Sequence, residues 1–327
     1  MRAITATILL TVSAMTVAND NPGVTPQESG TFDLLREPSG VTSLDGNTLI
    51  VIEDEAHSAL RRLEITPDNT HFKFKEFKQA TGTGFIQRRL LGPLDDLEAI
   101  ARLSDTRFFV IGSHENASRG KKPNREKLVL FTRKGDALVS ASMRRDLFEH
   151  LVEQYPQLSD KLNRKKNRKR NTLNIEGLAF DRKRQELLIG LRSPTISNDA
   201  IIIRLLNATD YLEGEEPEFA DALQLIDLDK GGIRALAYDD RSDNLLLISQ
   251  RESGGNGRWS LWTLSSAGDK KPTLISTKKK HQFKDIEGLT PLAESIFFVR
   301  DAGDGKSKND EFWFTVSRSQ LGLDEQH

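Results

Sequence analysis

Glu98, Glu176 and Glu287 each follow a hydrophobic residue and precede Ala or Gly, in Asp96-Leu97-Glu98-Ala99, Asn174-Ile175-Glu176-Gly177 and Asp285-Ile286-Glu287-Gly288. Gly232-Ile233-Arg234-Ala235 is an altered copy that puts a guanidinium where the others put a carboxylate. Converging glutamates supply hard oxygen ligands, so Glu98, Glu176 and Glu287 are the candidate metal set, suited to Ca2+ or Mg2+. A second polar set, Glu53, Asp54, His114, Arg192, Arg251, Arg300 and Asp301, stands at the end of the apolar run that follows each copy. Arg192, Arg234, Arg251, Arg300 and Asp301 form the candidate ligand-binding set, because guanidiniums grip phosphate and carboxylate in a fork. Of six histidines, His114 alone falls among these acids, which makes it the candidate general base. The competing reading is that carboxylates and arginines pair with one another and hold the chain in register.

These residues recur because the elements beneath them recur. Each copy opens a short apolar strand, then a turn, then a second apolar strand ending in charge; Ser39-Gly40-Val41 starts a further unit without the acid. Self-similarity of this kind marks a repeat architecture. The first unit reads as strands at Gly40–Leu44, Thr48–Glu53, Leu60–Ile65 and Phe72–Phe77. The second has Leu97–Leu103, Arg107–Ile111, Leu128–Thr132 and Leu138–Ser142. The third has Ile175–Phe180, Glu186–Leu191, Ala200–Leu206 and Ala222–Leu228. The fourth has Ile233–Tyr238, Asn244–Ser249, Ser260–Leu264 and Thr273–Ser276, and the fifth only Ile286–Pro291, Ser295–Val299 and Phe312–Val316. Thr31–Arg36 is an orphan strand, and pairing it with the incomplete last unit closes a ring and removes two exposed edges. The fold class expected is all-β, a five-bladed β-propeller closed by an N-terminal strand.

In a blade the chain zigzags outward from the axis, so turns after first and third strands share one face and the others share the opposite face. The first-to-second turns are short (Asp45-Gly46-Asn47, Ser104-Asp105-Thr106), whereas Ser113–Lys127, Gln250–Trp259 and Arg300–Glu311 are long and charged. Long loops on a rigid scaffold are where binding concentrates. Both polar sets fall on that long-loop face, around the mouth of the central channel. Between the second and third units, an insertion over 143–172 begins with a helical apolar pattern at Met143–Tyr155, limited by Pro156. Its two readings are a cover over part of the mouth and a shield for a blade edge. The basic run Lys161–Arg170 reads as a solvated loop, since no aromatics interleave with it.

Residues 1–18 read as a secretory signal: Arg2, an apolar stretch from Ile4 to Val17, and small residues at Thr16-Val17-Ala18. That leaves 19–327 as a single propeller domain with no membrane-length segment, expected in the periplasm or secreted. The absence of cysteine fits a periplasm better than a disulfide-built extracellular module. A balance of 47 basic and 48 acidic residues argues against nucleic acid as a partner. Asn116-Ala117-Ser118 and Asn207-Ala208-Thr209 match the glycosylation acceptor pattern, and Asp301-Ala302-Gly303-Asp304-Gly305 weakly echoes a calcium loop. No nucleophile elbow, Walker loop, His-Glu-x-x-His or dinucleotide fingerprint occurs, so no nucleotide or redox cofactor is expected.

Taken in order, Ser39-Gly40-Val41, Asp96-Leu97-Glu98, Gly112-Ser113-His114, Asn174-Ile175-Glu176-Gly177-Leu178-Ala179, Gly190-Leu191-Arg192-Ser193-Pro194 and Gly232-Ile233-Arg234 form a specific set. Over about residues 35–305 the chain resembles an uncharacterised bacterial family, that of domain of unknown function 3616. More distantly it is similar to phytase-like, esterase-like β-propellers. The resemblance implies a propeller, and the distant relatives imply calcium and hydrolysis of phosphoesters or esters. Arg234 departs from an all-carboxylate ring, which suits an anionic ligand. The first expectation is a secreted propeller that binds a small anionic or metal-bridged ligand at the long-loop mouth. The alternatives are a metal-dependent phosphoester or ester hydrolase, with His114 as base, and a scaffold for a cell-envelope protein partner.

Overall fold

A computed structural model describes residues 26–32, 35, 37–54, 60–65, 72–79, 94–115, 123–162, 173–251, 258–268, 271–278, 285–301 and 312–323. The signal-like segment 1–18, the acceptor site at 116–118, most of the basic run (163–170) and the calcium-loop-like 302–305 lie outside the described residues. Strand β1 (Glu28–Gly30) comes first, then the first blade, β2 (Pro38–Asp45), β3 (Thr48–Glu53), β4 (Leu60–Ile65) and β5 (Phe72–Glu76). A short β6 (Lys78–Gln79) precedes the second blade, β7 (Leu97–Arg102), β8 (Arg107–Gly112), β9 (Leu128–Lys134) and β10 (Ala137–Arg144). Helices α1 (Leu147–Gln154) and α2 (Pro156–Leu162) lead to the third blade. That blade has β11 (Asn174–Asp181), β12 (Glu186–Ile196), β13 (Asp199–Leu205), helix α3 (Ala208–Glu213) and β14 (Gln224–Ile226). The fourth blade is β15 (Gly232–Asp239), β16 (Asn244–Arg251), β17 (Arg258–Ser265) and β18 (Thr273–Lys278); the fifth is β19 (Ile286–Pro291), β20 (Ser295–Arg300) and β21 (Trp313–Ser317).

The molecule is a five-bladed β-propeller. Each blade is an antiparallel meander, and β1 adds to β21 as the outer strand of the fifth sheet. Each first strand packs against the first strands of both neighbours, β2 against β7 and β19 included, so the ring is closed. Five apolar clusters fill the five seams between blades; Phe297, Val299 and Trp313 of the last blade meet Val41, Leu49 and Val51 of the first. Inner strands are therefore buried on both faces, which is why β3 carries the continuous apolar run Leu49–Ile52 and β3 and β11 are buried at every position.

The closing strand sits earlier than the Thr31–Arg36 expected from the apolar pattern. Phe32 and Leu35, whose side chains suggested a strand, are wedged into the seam between fifth and first blades. The ladder instead uses Glu28-Ser29-Gly30, opposite Thr315, Phe314 and Trp313. Gly30 lies so close to the Trp313 ring that a Cβ would come within 2.8 Å of it. The helical insertion also differs from Met143–Tyr155: Met143 and Arg144 finish β10, and Pro156 opens a second helix rather than only ending the first. Proline is tolerated at a first helical position because that N–H has no intrahelical acceptor. Leu147, Leu151, Tyr155 and Leu158 pack into the seam between second and third blades, and Tyr155 Oη donates to Ala220 O at 2.6 Å. That is the packing of the blade-edge role. Helix α3 and the parallel pairing of β6 with β10 had no sequence counterpart in the reading above.

Candidate functional site

All five first strands carry a β-bulge at the same place. The registers slip between Pro38 and Gly40, Leu97 and Ala99, Ile175 and Gly177, Ile233 and Ala235, and Ile286 and Gly288. The extra residues are Ser39, Glu98, Glu176, Arg234 and Glu287. A bulged residue leaves the ladder and its side chain is re-aimed, and here the re-aimed side chains converge on the axis. The small residue after each acid has a packing reason. A Cβ on Gly288 would sit 2.9 Å from Gly40 Cα of the neighbouring blade, and one on Gly177 2.9 Å from Ile233 Cγ2. The motif thus combines a bulge that points inward with a residue small enough for inner strands to meet.

Arg234 is the hub. Its Nη1 donates to Glu176 Oε1 at 2.9 Å, its Nη2 bonds Glu287 Oε1, and its guanidinium lies 5.2 Å from the Trp259 ring centre. Arg192 Nη1 adds a second cation to Glu176 Oε1 at 2.7 Å, and Asn174 Nδ2 donates to the same oxygen at 3.2 Å. Glu176 and Arg234 are buried, whereas the Arg192 side chain keeps 34% of its surface exposed. Among the described residues Glu98 has no guanidinium partner. Its carboxyl is held well above the usual range, first by burial in the channel and then by the charges of Glu176, Glu287, Asp96 and Asp54. Glu287 is pushed up to about 8, since burial and the Glu176 charge outweigh the pull of Arg234. Burial works against the Arg234 charge, yet the glutamates hold its pKa above the usual arginine value. Three carboxylates facing Arg234 and Arg192 leave acid in excess of base, and both Glu98 and Glu287 are shifted toward the protonated form. Glu98 differs from Glu176 and Glu287 in making no hydrogen bond or ion pair to a guanidinium among the described residues.

His114 is placed differently. It is buried at positive φ (57°), and its Nδ1 lies 2.9 Å from Gly112 O. Burial brings its pKa down to about 4, so the ring is neutral. With Nδ1 bearing the proton for that bond, Nε2 is a bare acceptor with no hydrogen-bond partner among the described residues. No hydrogen bond or ion pair joins it to the three glutamates among the described residues; its electrostatic neighbour is Glu149 on α1. On the rim, Arg251 faces Asp229 at 3.4 Å, and Arg300 lies 5.3 Å from the Phe314 ring centre. Asp301 closes backbone to Asp285 at 2.9 Å, and its charge reaches Glu287. Glu53 is buried against Arg61 at 3.1 Å. No group of three or more His, Cys, Asp or Glu among the described residues is disposed to hold a metal ion; Glu176 and Glu287 bond to guanidiniums.

Two features escaped the sequence reading. Asp96, also at positive φ, binds Arg125 Nη1 at 2.8 Å and the Ser113 hydroxyl. Lys127 is buried with its Nζ 3.5 Å from Asn124 Oδ1, and burial, followed by Arg145, brings its pKa down to about 8. The Gly112-Ser113-His114 string points to this corner, and its lysine stands immediately before β9.

The family described as "Protein of unknown function (DUF3616)" matches residues 131–303, more than half of the sequence, and the chain belongs to that family. None of the curated proteins matches it. Among solved structures it is similar to the major Malassezia sympodialis allergen Mala s 1, at 10% identity over 89% of this chain and 96% of that one, with a TM-score of 0.47. It is also similar to the α-L-arabinofuranosidase PaAbf62A from Podospora anserina, at 8% identity over 90% and 94%, with a TM-score of 0.47.

Proposed function

We propose that this member of the DUF3616 family binds a small anionic ligand at the long-loop mouth of its channel, between the guanidinium of Arg192 and a protonated Glu98. The observation that carries the reading is the asymmetry of ion pairing around the ring. Glu176 pairs with Arg192 and Arg234, while Glu98 makes no hydrogen bond or ion pair to a cation among the described residues and its pKa is raised, first by burial and then by neighbouring acids. A neutral Glu98 is a donor, not a repelling charge. Charge-assisted bonds from guanidinium and carboxyl to one oxyanion are the strong kind. Perturbed carboxyls of this kind gather where ligands or chemistry are handled, which supports the same reading.

Calorimetry with phosphate, succinate and citrate tests it. Wild type is expected to bind at least one of them, more weakly as pH rises and Glu98 ionises. Glu98→Gln is expected to keep the affinity and flatten its pH profile, and Arg192→Gln to lose about ten-fold or more. An anion whose affinity ignores both changes does not sit at this mouth. The metal-bridged form of the reading puts Ca2+ or Mg2+ in place of the Glu98 proton and asks Glu176 or Glu287 to release an arginine; a titration with either ion tests that form. A hydrolase would further need the His114 imidazole to reach the bound group, and unchanged ester turnover in His114→Gln would remove it from any such mechanism. Export through cleavage after residue 18 belongs to the same proposal, and N-terminal sequencing of the protein recovered from the periplasm tests it.

A further inference from the structure

At the opposite end of the channel all five blades line a cavity of about 190 Å³. Its inner wall is apolar, with Val41, Ile100, Leu178 and Ala237 among the side chains. Its outer part carries four guanidiniums, Arg102, Arg182, Arg241 and Arg318, against two carboxylates, Asp239 and Asp240. Arg318 and Asp239 cancel: both are buried, joined in a bidentate pair at 3.2 and 2.5 Å that ties the C-terminal segment to the fourth blade. Arg182 Nε bonds Asp240 at 2.6 Å, Arg102 Nη2 bonds Asp105, and Arg241 Nη1 donates to a neutral carbonyl, Ala293 O, at 3.0 Å. Asp105 and Asp240 are the outward partners, 71% and 48% exposed, so water screens their side of each pair. On the inner side Arg102 Nε is buried with no partner among the described residues. Arg102 and Arg182 come from neighbouring blades and stand close enough that, after burial, the charge of Arg102 lowers the pKa of Arg182.

Like charges held together beside a dry wall need an anion. We propose that this cavity is a second ligand site, for a small oxyanion, phosphate or carboxylate, clasped between Arg102 and Arg182 with its apolar remainder against Ile100 and Leu178. The volume is about six waters' worth at roughly 30 Å³ each, which admits one such group and a short body, not a drug-sized molecule. The hairpins that frame it, at 45–47, 103–106, 182–185, 240–243 and 292–294, all belong to the described residues. The site does not depend on the reading of the long-loop mouth.

The test is calorimetry of the full chain with inorganic phosphate and, separately, propionate at low ionic strength. Arg102→Gln with Arg182→Gln is expected to weaken the bound anion about ten-fold or more, and Arg192→Gln at the other mouth to leave it unchanged. Asp240→Asn, which removes an exposed competitor and leaves the cavity wall intact, is expected to tighten it, and this arm decides the matter if the double variant does not fold. Tighter binding of phosphate than propionate assigns a phosphoryl group, and the reverse assigns a carboxylate with its chain on the apolar wall. The proposal is overturned if wild type binds neither at millimolar concentration, or if Asp240→Asn and the double variant both bind as wild type does.

Discussion

The two ends of the channel are built from the same five strands and treat charge in opposite ways. At the long-loop end bulges aim Glu98, Glu176, Arg234 and Glu287 at one point, and acids outnumber the hub arginine. At the short-hairpin end the strands leave the ladder in tight turns, and arginines outnumber acids in the cavity lining. At the first end burial and crowding shift Glu98 and Glu287 toward the protonated form; at the second, four guanidiniums face two carboxylates. A repeat supplies identical backbone positions, and what each end does is decided by which few positions depart from the repeat. Arg234 is the departure that joins three blades.

Breaking the hub is expected to have the largest effect. Arg234→Met leaves the buried Glu176 with one guanidinium in place of two and Glu287 with none, and loss of one partner of a buried pair costs about 3–5 kcal/mol. Urea unfolding at pH 7 measures it. Adding Glu176→Gln and Glu287→Gln to the same chain is expected to recover most of that loss, because the uncompensated charges go with them. Arg182→Met, whose partner Asp240 is half exposed, is expected to cost under about 1 kcal/mol. Equal losses for the two arginines would erase the distinction between the ends.

The next effect is steric. Gly288→Val puts a branched side chain where Gly40 Cα and Val299 Cγ2 already stand within 3 Å of a Cβ, and overpacking of this kind costs about 1–3 kcal/mol. Gly46→Val, at a short hairpin where a Cβ meets nothing within 4 Å, is the control. If both variants melt alike, the inner strands are not in the close contact that lets the glutamates converge.

How much of this was legible beforehand follows from what kind of physics each feature uses. Short apolar runs between Asp, Gly and Asn turns gave nearly every strand to within a residue or two, because burial on both faces leaves continuous Ile, Val and Leu. The recurring Glu-Gly marked the inner ring, yet not the bulge that turns it inward, since a bulge is a property of pairing rather than composition. Residues 31–36 misled because Phe32 and Leu35 are buried by a seam instead of a sheet. The Arg234 pairing to Glu176 and Glu287 joins residues far apart in sequence, and nothing local encodes it. The arginines of the second mouth are hidden for a different reason: Arg102, Arg182 and Arg241 lie beside short turns, and loop length points to the opposite face.

A smaller effect separates the ends by pH. Glu98 and Glu287 hold protons more tightly folded than unfolded, so the stability they contribute is fully present below pH 4.5. It is lost as pH rises through their folded values, about 8 for Glu287. His114 has the opposite sign: its depressed pKa makes stability rise between about pH 4 and 6.5. From pH 6.5 to 8 the glutamates therefore act without it, and wild type is expected to lose stability there. Glu98→Gln is expected to lose less over that window, and Arg102→Gln to follow wild type. Parallel curves for wild type and Glu98→Gln would mean that Glu98 carries no retained proton.

The smallest effect belongs to the rim and sharpens the contrast from outside. Arg251 and Asp229 face each other at 3.4 Å with 36% and 42% of their side chains exposed, and Arg258 reaches the same carboxylate at 3.2 Å. Solvent screens such pairs, and Arg258 remains to hold Asp229 when Arg251 is removed, so Arg251→Gln is expected to cost less than about 0.5 kcal/mol. Urea midpoints in low and high salt measure it, and the difference from wild type is expected to shrink further as salt rises. A loss above 2 kcal/mol that persists in salt would place Arg251 inside the buried network. The charge boundary drawn between hub and rim would then move outward by one strand end, and Asp229 would join Glu176 and Glu287 as an acid whose charge the fold must neutralise.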